Sequence, residues 1–415
     1  MIESERVSEC TKRRLEKRPL ASGAVSHLSG CRSTPSRSAA ASQALTGGSG
    51  SATDGELLRV NCSSAATTAA ASSSEAPGAT IVSLGRRFIE LPRVSCRAVA
   101  ELSVLDHEAV LAAVSPEFAI EHVRQALLRH HEGVWEMPAK VYLDSPPHGD
   151  FRAMPARGDG LALLKWITSF PGNPERGLPT VMGVVCLSDA VTGVPLMLLD
   201  ARSVTALRTG AVAAVASAAL AAPNARTLGI VGCGLHGTWV ARCLLAAGFG
   251  PGVCFDLDRA AAERLAAELG HGWRAGSLEE AVAQEIVSCV TPGAEVVIEA
   301  GDLHPGVHLN MLGADARGKA EATIEAVTAC SLFCDEWEQA SHGGELTGAV
   351  DAGLVSRAQV TELGAVLAGD AAGRADRRSL TLFDSTGLAI QDLAIARAAL
   401  AAWREGQVSA QTINL

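Results

Sequence analysis

The chain has 415 residues, 48% of them hydrophobic and 19% charged, which is enough for two domains with a sizeable core and ordinary for a soluble globular protein. Its formal net charge of −10 argues against a nucleic-acid partner, which needs a basic patch. The mean hydropathy of +0.20 comes mostly from alanine. The longest apolar stretch, Ala211 to Ala222, contains Ser217 and is too short to span a bilayer, so it reads as a buried helix and no membrane partner is expected. The 11 cysteines are scattered, Cys330 and Cys334 being the nearest pair, and no Cys-x-x-Cys occurs. That usage suits reduced, buried thiols of a cytoplasmic enzyme and offers no metal-binding spacing.

Residues 1–80 are rich in Ser, Ala and Thr with no period of 2 or 3.6, and such a segment buries too little apolar area to offset its ordering entropy. A disordered extension is expected there. Lys12, Arg13, Arg14, Lys17 and Arg18 form a basic run, but Glu3, Glu5, Glu9 and Glu16 interleave with it, against a targeting peptide.

The globular part begins near Glu101. Ser115-Pro116-Glu117 predicts the start of a helix through Arg129 with Phe118, Val123 and Leu127 on its apolar side. Glu136 to Pro179 is rich in Pro and Gly, with short strand-like pieces such as Lys140 to Leu143. Val181 to Leu187 and Val194 to Asp200 read as strands and Ala206 to Ala221 as a long helix. The pattern then alternates strand and helix: strands at 227–231, 253–256, 285–290, 308–312 and 331–334, with helices at 238–247 and 259–269. That alternation predicts a parallel doubly wound sheet. The fold class is therefore α/β, a Rossmann domain over 223–374 plus a second, α+β domain built from 95–222 with 375–410, the tail from Leu380 giving a strand, a turn and a helix that rejoins the first domain.

Gly232-Cys-Gly-Leu-His-Gly237 matches Gly-x-Gly-x-x-Gly between an apolar strand and a helix. The first glycine permits the tight turn, the second lets a pyrophosphate approach the backbone, and the third allows close helix–strand packing. Gly232, Gly234, Leu235, His236 and Gly237 are thus candidate cofactor residues, with the helix N-terminus facing the phosphates. Asp256 ends the next strand about 20 residues on, where a carboxylate takes the ribose hydroxyls. It would repel a 2′-phosphate, so NAD is favoured over NADP, although Arg259 stands close by. A Rossmann-like fold with no ligand, with FAD or with S-adenosylmethionine is the alternative.

Lys140, Arg152, Lys165 and Arg208 sit in apolar or Gly/Pro contexts, where cations are seldom found unpaired. Converging on one pocket, they would suit a carboxylate substrate and cofactor phosphates. Each alone reads equally as a snorkelling side chain or a structural ion pair. Asp315 follows the strand at 308–312, beyond whose carboxyl end ligands bind, and is a candidate acid/base; a turn aspartate is the alternative. His308, mid-strand, reads as a structural histidine, and His342, expected on a loop, is undecided.

In order along the chain, Met137-Pro-Ala-Lys-Val-Tyr-Leu143, Phe151-Arg-Ala-Met-Pro-Ala156, Pro171-Gly-Asn-Pro to Gly177-Leu-Pro-Thr-Val181, Thr205-Ala-Leu-Arg-Thr-Gly-Ala211, Gly313-Ala-Asp315 and Asp384-Ser-Thr-Gly-Leu-Ala-Ile-Gln-Asp392 resemble the ornithine cyclodeaminase/mu-crystallin family from about residue 95 to 405. Gln339 to Glu345 adds a likeness to its archaeal-type alanine dehydrogenases. The resemblance implies a homodimer formed through the first domain, with Lys140, Arg152 and Arg208 at the substrate, Lys165 and Asp315 catalytic, and Thr209, Asn310 and Ser385 at the cofactor. Cyclodeaminases of the family carry Glu where Arg152 stands, and a fixed cation there would repel a second substrate ammonium. His236 replaces the family's usual Gln, Arg317 a common Pro, and Glu321-Ala322 interrupts the usual acidic pair. The implied activity is NAD-dependent, reversible oxidative deamination of a small L-amino acid, above all alanine, to a 2-oxo acid. A cyclic-imine reductase or cyclodeaminase is the runner-up, and a non-enzymatic binding protein like the lens crystallin relative a third reading.

Overall fold

The computed structural model describes residues 101–414 apart from residue 294, together with β1 (Ile81–Leu84) and β2 (Arg87–Glu90), which pair with each other. The extension expected over 1–80 lies outside the described residues.

The first layer runs β3 (Glu101–Leu105), α1 (His107–Ala113), α2 (Pro116–His131), β4 (Val141–Ser145), β5 (Gly149–Gly158), β6 (Leu161–Ser169), β7 (Val181–Asp189), β8 (Pro195–Asp200) and α3 (Ala201–Leu220). Ser115 caps α2 by accepting the Phe118 N–H, with Pro116 at the first helical position. Ala119, Val123, Ala126 and Leu127 form its buried stripe. Phe118, expected on that stripe, falls one position outside it, is 63% exposed and leans on the His122 ring.

The stretch at 136–179 forms longer strands than its composition suggests, β4 to β6 pairing antiparallel through Arg152↔Ile167, Ala153↔Trp166 and Met154↔Lys165. Side chains alternate between the two faces of a strand, so Arg152 and Lys165 share the inner face. The outer face carries Val141, Leu143, Phe151, Leu164, Trp166 and Val184, a row of apolar groups most of which are solvent-exposed. The buried inner face is apolar except for these two cations and the outer face is largely apolar too, so the strands show no clean alternation and read only as fragments in the sequence.

The second layer contains β9 (Leu228–Val231), α4 (Leu235–Ala246), β10 (Gly252–Phe255), α5 (Arg259–Leu269), β11 (Arg274–Ala275), α6 (Leu278–Val282), β12 (Ile286–Cys289), β13 (His308–Met311), α7 (Ile324–Thr328), β14 (Ser331–Cys334), α8 (Trp337–Gly343), α9 (Thr347–Asp351), β15 (Val360–Glu362), α10 (Leu363–Ala368) and β16 (Thr381–Asp384). The strands form one parallel sheet in the order β11-β10-β9-β12-β13-β16-β14-β15. Strand order reverses between β9 and β12, and a crevice at that switch point is where such sheets take ligands.

β16 pairs with both β13 and β14, so the chain leaves this sheet only after Asp384 rather than near 375. The four residues Thr381 to Asp384 are fully buried and need ladder partners on both edges, which only this sheet supplies. α11 (Ala389–Arg404) then returns to pack on α2 and α3, and β17 (Gln411–Asn414) adds antiparallel to β3. The seven-stranded sheet reads β17-β3-β8-β7-β6-β5-β4. By length and composition α3 qualifies as a membrane span, yet 83% of that window is buried inside the fold, as expected of a core helix.

Between α3 and the parallel sheet lies a buried polar seam. The Asn310 amide donates to Ser217 Oγ at 2.9 Å and Ser288 Oγ at 3.1 Å, while its oxygen meets His308 Nε2 at 3.1 Å. His308 Nδ1 meets Thr381 Oγ1 at 2.9 Å, and burial together with the Arg374 charge pulls the imidazole down to about 3, keeping it neutral. His308 is thus a satisfied structural group. Asn310, expected at the cofactor, is spent inside this seam. Replacing it by Ala should orphan two serines and a histidine and cost about 1–3 kcal/mol, measured by urea unfolding; an unchanged midpoint would show that the seam carries no stability.

Candidate active site

The crevice is assembled from segments of both layers. The glycine turn follows β9, and Gly232 adopts φ +99 with its Cα facing the Val290 carbonyl, so a side chain there would meet that oxygen at 2.8 Å. A Cβ on Gly237 would collide with the Gly232 carbonyl, whereas Gly234 is open to the crevice. Gly234 is the N-cap of α4 and offers no side-chain cap, leaving the first N–H groups of the helix for a ligand. Asp256 rims the turn, its carboxylate accepting the Cys233 N–H at 2.7 Å and the Asp258 N–H at 2.8 Å. Arg259 reaches Glu263 at 2.9 Å on its own helix.

α3 docks directly on α4, and Gly210 is what lets it: any Cβ there would run into the Trp239 carbonyl. That contact brings Arg208 beside the glycine turn. His236, the second residue of α4, feels Arg208, Asp315 and Lys165, and burial with the Arg208 charge pulls it down to about 4, so it is neutral. Thr209 donates to the Thr205 carbonyl within α3 at 2.7 Å and is buried. Arg208 lies against Gly387, which takes φ +76 and leaves no room for a Cβ beside the guanidinium.

Asp315, in the loop after β13, is held by Arg152 Nη1 at 2.5 Å and Lys319 Nζ at 2.7 Å, and its backbone carbonyl accepts from the Tyr142 hydroxyl at 3.0 Å. Burial works against its charge, but Arg152 and Lys319 win and hold the carboxyl well below the usual carboxylate range. Arg152 is further gripped by Asp150, with Nε donating at 2.6 Å and Nη2 at 3.1 Å, and it lies over the Tyr142 ring at 5.3 Å. Three of its five donors are therefore engaged by two carboxylates.

Lys165, 1% exposed, forms an ion pair with Asp392 at 2.6 Å, and Arg208 approaches the same carboxylate at 3.8 Å. Neither Asp392 oxygen has a well-aligned hydrogen bond, nor has Arg208 Nε, so this is a charge contact with geometry to spare. Burial pulls Lys165 down to about 8 despite Asp392, and Lys140 also to about 8 despite Asp315 and Asp335. Lys140 donates to the Thr386 carbonyl at 2.6 Å. Ser385 donates at 2.9 Å to Asp335, which also accepts the Gly387 N–H at 3.0 Å. Burial raises Asp335 even so, against the pull of Lys140.

The structure therefore brings together Lys140, Arg152, Lys165, Arg208, Asp315 and His236 at the open side of the glycine turn, with Gly232, Gly234, Leu235 and Gly237 on the turn and its helix start and Asp256 at its rim. Ser385 lies in the adjoining loop and faces Asp335, Thr209 stays inside α3, and Asn310 lies away from the crevice. His342, expected on a loop, sits in α8 with Nδ1 against the Glu338 carbonyl. Sequence reasoning missed the partners Asp150, Lys319, Asp335 and Asp392. Asp392 left a signal: a lone carboxylate on the buried side of an otherwise apolar helix matches a lone lysine on a buried strand.

A doubly wound sheet with a glycine turn at its switch point and Asp315 in the loop after β13, faced by Lys140, Arg152, Lys165 and Arg208 from the other layer, defines a protein of the dinucleotide-binding class. The chain belongs to the ornithine cyclodeaminase/mu-crystallin family, whose family model matches residues 101–407. It is 37% identical over 302 residues to an alanine dehydrogenase of Archaeoglobus fulgidus, covering 72% of this chain and 94% of that protein. A solved archaeal alanine dehydrogenase dimer with bound NAD matches with a TM-score of 0.73 at 36% identity, covering 76% of this chain and 99% of the other. The Thermococcus litoralis Δ1-pyrroline-2-carboxylate reductase, in complex with NADH and L-proline, matches with a TM-score of 0.72 at 26% identity, covering 76% and 100%.

Beneath the crevice, Glu345 is 3% exposed, and burial together with the Glu321 charge raises it from 4.5 to about 8. A carboxyl raised on folding stabilises fully below its unfolded value and loses that contribution as pH rises through the folded one. Glu345→Gln should therefore gain in melting temperature relative to the parent between pH 5 and about 8 and level off above that. A difference that does not vary with pH, read by differential scanning calorimetry, would contradict the assignment.

Proposed function

We propose that this chain is an NAD-dependent oxidoreductase that interconverts a small amino acid with its imine and 2-oxo acid, alanine and pyruvate being the pair it suits best. The observation that carries the reading is the convergence of four cations and Asp315 on the open side of an uncapped glycine turn. The residues fit the dinucleotide: Gly234 leaves space for the pyrophosphate, Gly232 and Gly237 close the turn, and Asp256 stands where ribose hydroxyls lie.

When bound, NAD would accept hydride from the substrate Cα or return it to an imine carbon. Lys140 and Arg208 are the cations least committed to protein carboxylates, so they take the substrate carboxylate, with Arg152 sharing it. Asp315 at rest is too strongly paired to be a useful base. A substrate carboxylate that draws Arg152 away weakens that hold, lets the Asp315 pKa rise, and readies it to take the amine proton and orient water onto the imine. Lys165, at about 8, is placed to give a proton to the developing oxygen or to steady its charge.

Arg152 is less repulsive toward a second ammonium than the sequence suggests, because Asp150 and Asp315 balance its charge. Likeness to a pyrroline-2-carboxylate reductase favours imine reduction as the second reading. The test is NADH formation by the full chain with NAD and a panel of L-amino acids, run beside NADH oxidation with pyruvate plus ammonia and with pyrroline-2-carboxylate. A selective alanine signal reversed by pyruvate and ammonia supports deamination. Turnover of the cyclic imine alone supports the second reading, and ammonia from ornithine without net NADH would mean cyclodeamination. Asp315→Asn should keep NAD binding and lose most turnover, by roughly 100-fold or more; near-normal turnover would remove Asp315 from its role.

The apolar outer face of the seven-stranded sheet supports a homodimer, in keeping with the dimeric archaeal neighbour. Phe151 stacks on Trp166 at 5.6 Å at its centre. Trp166→Glu should shift the chain to a monomer in light scattering coupled to size exclusion; an unchanged mass would place the interface elsewhere.

A further inference from the structure

The loop that carries Asp315 is anchored by a carboxylate that no solvent reaches. Glu321 is 0% exposed. Its Oε1 accepts from the Thr291 N–H and the Thr291 hydroxyl, both at 2.7 Å. Its Oε2 accepts from the Leu312 N–H at 3.2 Å and the Gly313 N–H at 2.8 Å. Gly313 makes room for it, since a Cβ there would stand 2.5 Å from Oε1. The backbone of Glu321 is fixed in turn by Glu345, which accepts its N–H at 2.9 Å and that of Ala322 at 2.6 Å.

The two ends tied together serve different halves of the crevice. Thr291 follows β12, and the backbone at Val290 and Thr291 abuts Gly232 of the glycine turn. Leu312 and Gly313 follow β13 and lead into Asp315. Parallel strands place these ends side by side, but the ladder leaves the Thr291 and Gly313 N–H groups unpaired, while the Leu312 N–H is shared between the Cys289 carbonyl at 3.0 Å and Glu321. One carboxylate with four lone-pair sites satisfies them all, whereas a neutral amide would turn two donors of its own toward N–H groups.

We propose that Glu321 is a positioning residue that sets the distance between the cofactor turn and Asp315, acting through the backbone of both loops and touching neither substrate nor cofactor. The inference rests on the role given to Asp315 above. Burial raises the Glu321 pKa, opposed by the donors from Thr291, Gly313 and Leu312, each of which favours the ion.

The experiment compares Glu321→Gln and Thr291→Val with the parent and with Asp315→Asn, each as the full chain. The readouts are NADH affinity by fluorescence titration, kcat and KM on the amino acid the parent turns over, the pH profile of kcat/KM, and thermal melting. Thr291→Val keeps volume, removes one of the four donors and guards against a Glu321→Gln variant that fails to fold. Glu321→Gln should bind NADH within about threefold of the parent and lose about 10- to 100-fold in kcat, the range a misplacement near 1 Å produces. The acid limb of its profile should move to higher pH, because an Asp315 displaced from Arg152 and Lys319 loses what holds its pKa down. Thr291→Val should move both in the same direction by less. Should both variants keep kcat and the acid limb within about twofold while only melting falls, the residue is structural and the inference fails. If Asp315→Asn itself turns over normally, the reading of Asp315 fails instead.

Discussion

The contact of α3 with α4 is the constraint on which the crevice depends. α3 belongs to the domain that supplies the cations, and α4 opens from the glycine turn. They meet at Gly210, where even a methyl group would strike the Trp239 carbonyl. Close approach of two helix backbones is possible only with a small residue at the crossing, and alanines at 211, 213 and 214 extend the dry contact beyond it. Because of it Arg208 stands beside His236, and the cluster of cations is built against the glycine turn. A wider gap would leave both half-sites intact and useless to each other.

Charge is distributed over the pocket in two tiers. Arg152 and Lys165 are each matched to aspartates at 2.5 to 2.6 Å, so their burial is compensated within the protein. Lys140 and Arg208 are not so matched, with a carbonyl at 2.6 Å and a carboxylate only at 3.8 Å as their nearest anionic or polar partners. A partly buried cation without a close anion is costly to hold and is relieved by a ligand that brings one. On the proposed function, Lys140 and Arg208 would gain a full partner only when a substrate carboxylate arrives.

The doubly wound sheet does more than support the turn. Its polar seam through His308, Asn310, Ser217 and Ser288 ties it to α3, and its buried Glu321, Glu345 and Asp335 accept hydrogen bonds from the loops beyond the strand ends. Such networks rigidify what they connect, which suits a hydride transfer that tolerates little error in distance. The exposed apolar row on the outer sheet face belongs to a different requirement, since the same strands turn Arg152 and Lys165 inward and Val141, Leu143, Phe151, Leu164 and Trp166 outward.

Much of this was legible along the chain. The strand–turn–helix around Gly232, the alternation that follows it, and the isolated cations at 140, 152, 165 and 208 are local or periodic features, set by backbone sterics and by the burial each residue type prefers. What the sequence could not show is which residue answers which. Asp150 is two positions from Arg152, but Asp392 lies 227 positions from Lys165 and meets it only because α11 returns across the first domain after β16 has completed the second. Asn310 carries the same mark in the sequence as a cofactor ligand and was placed inside the seam by the strand on which it lies. Pairing, burial and protonation are properties of neighbours in space, and for residues this far apart in the chain only the tertiary fold chooses the neighbours.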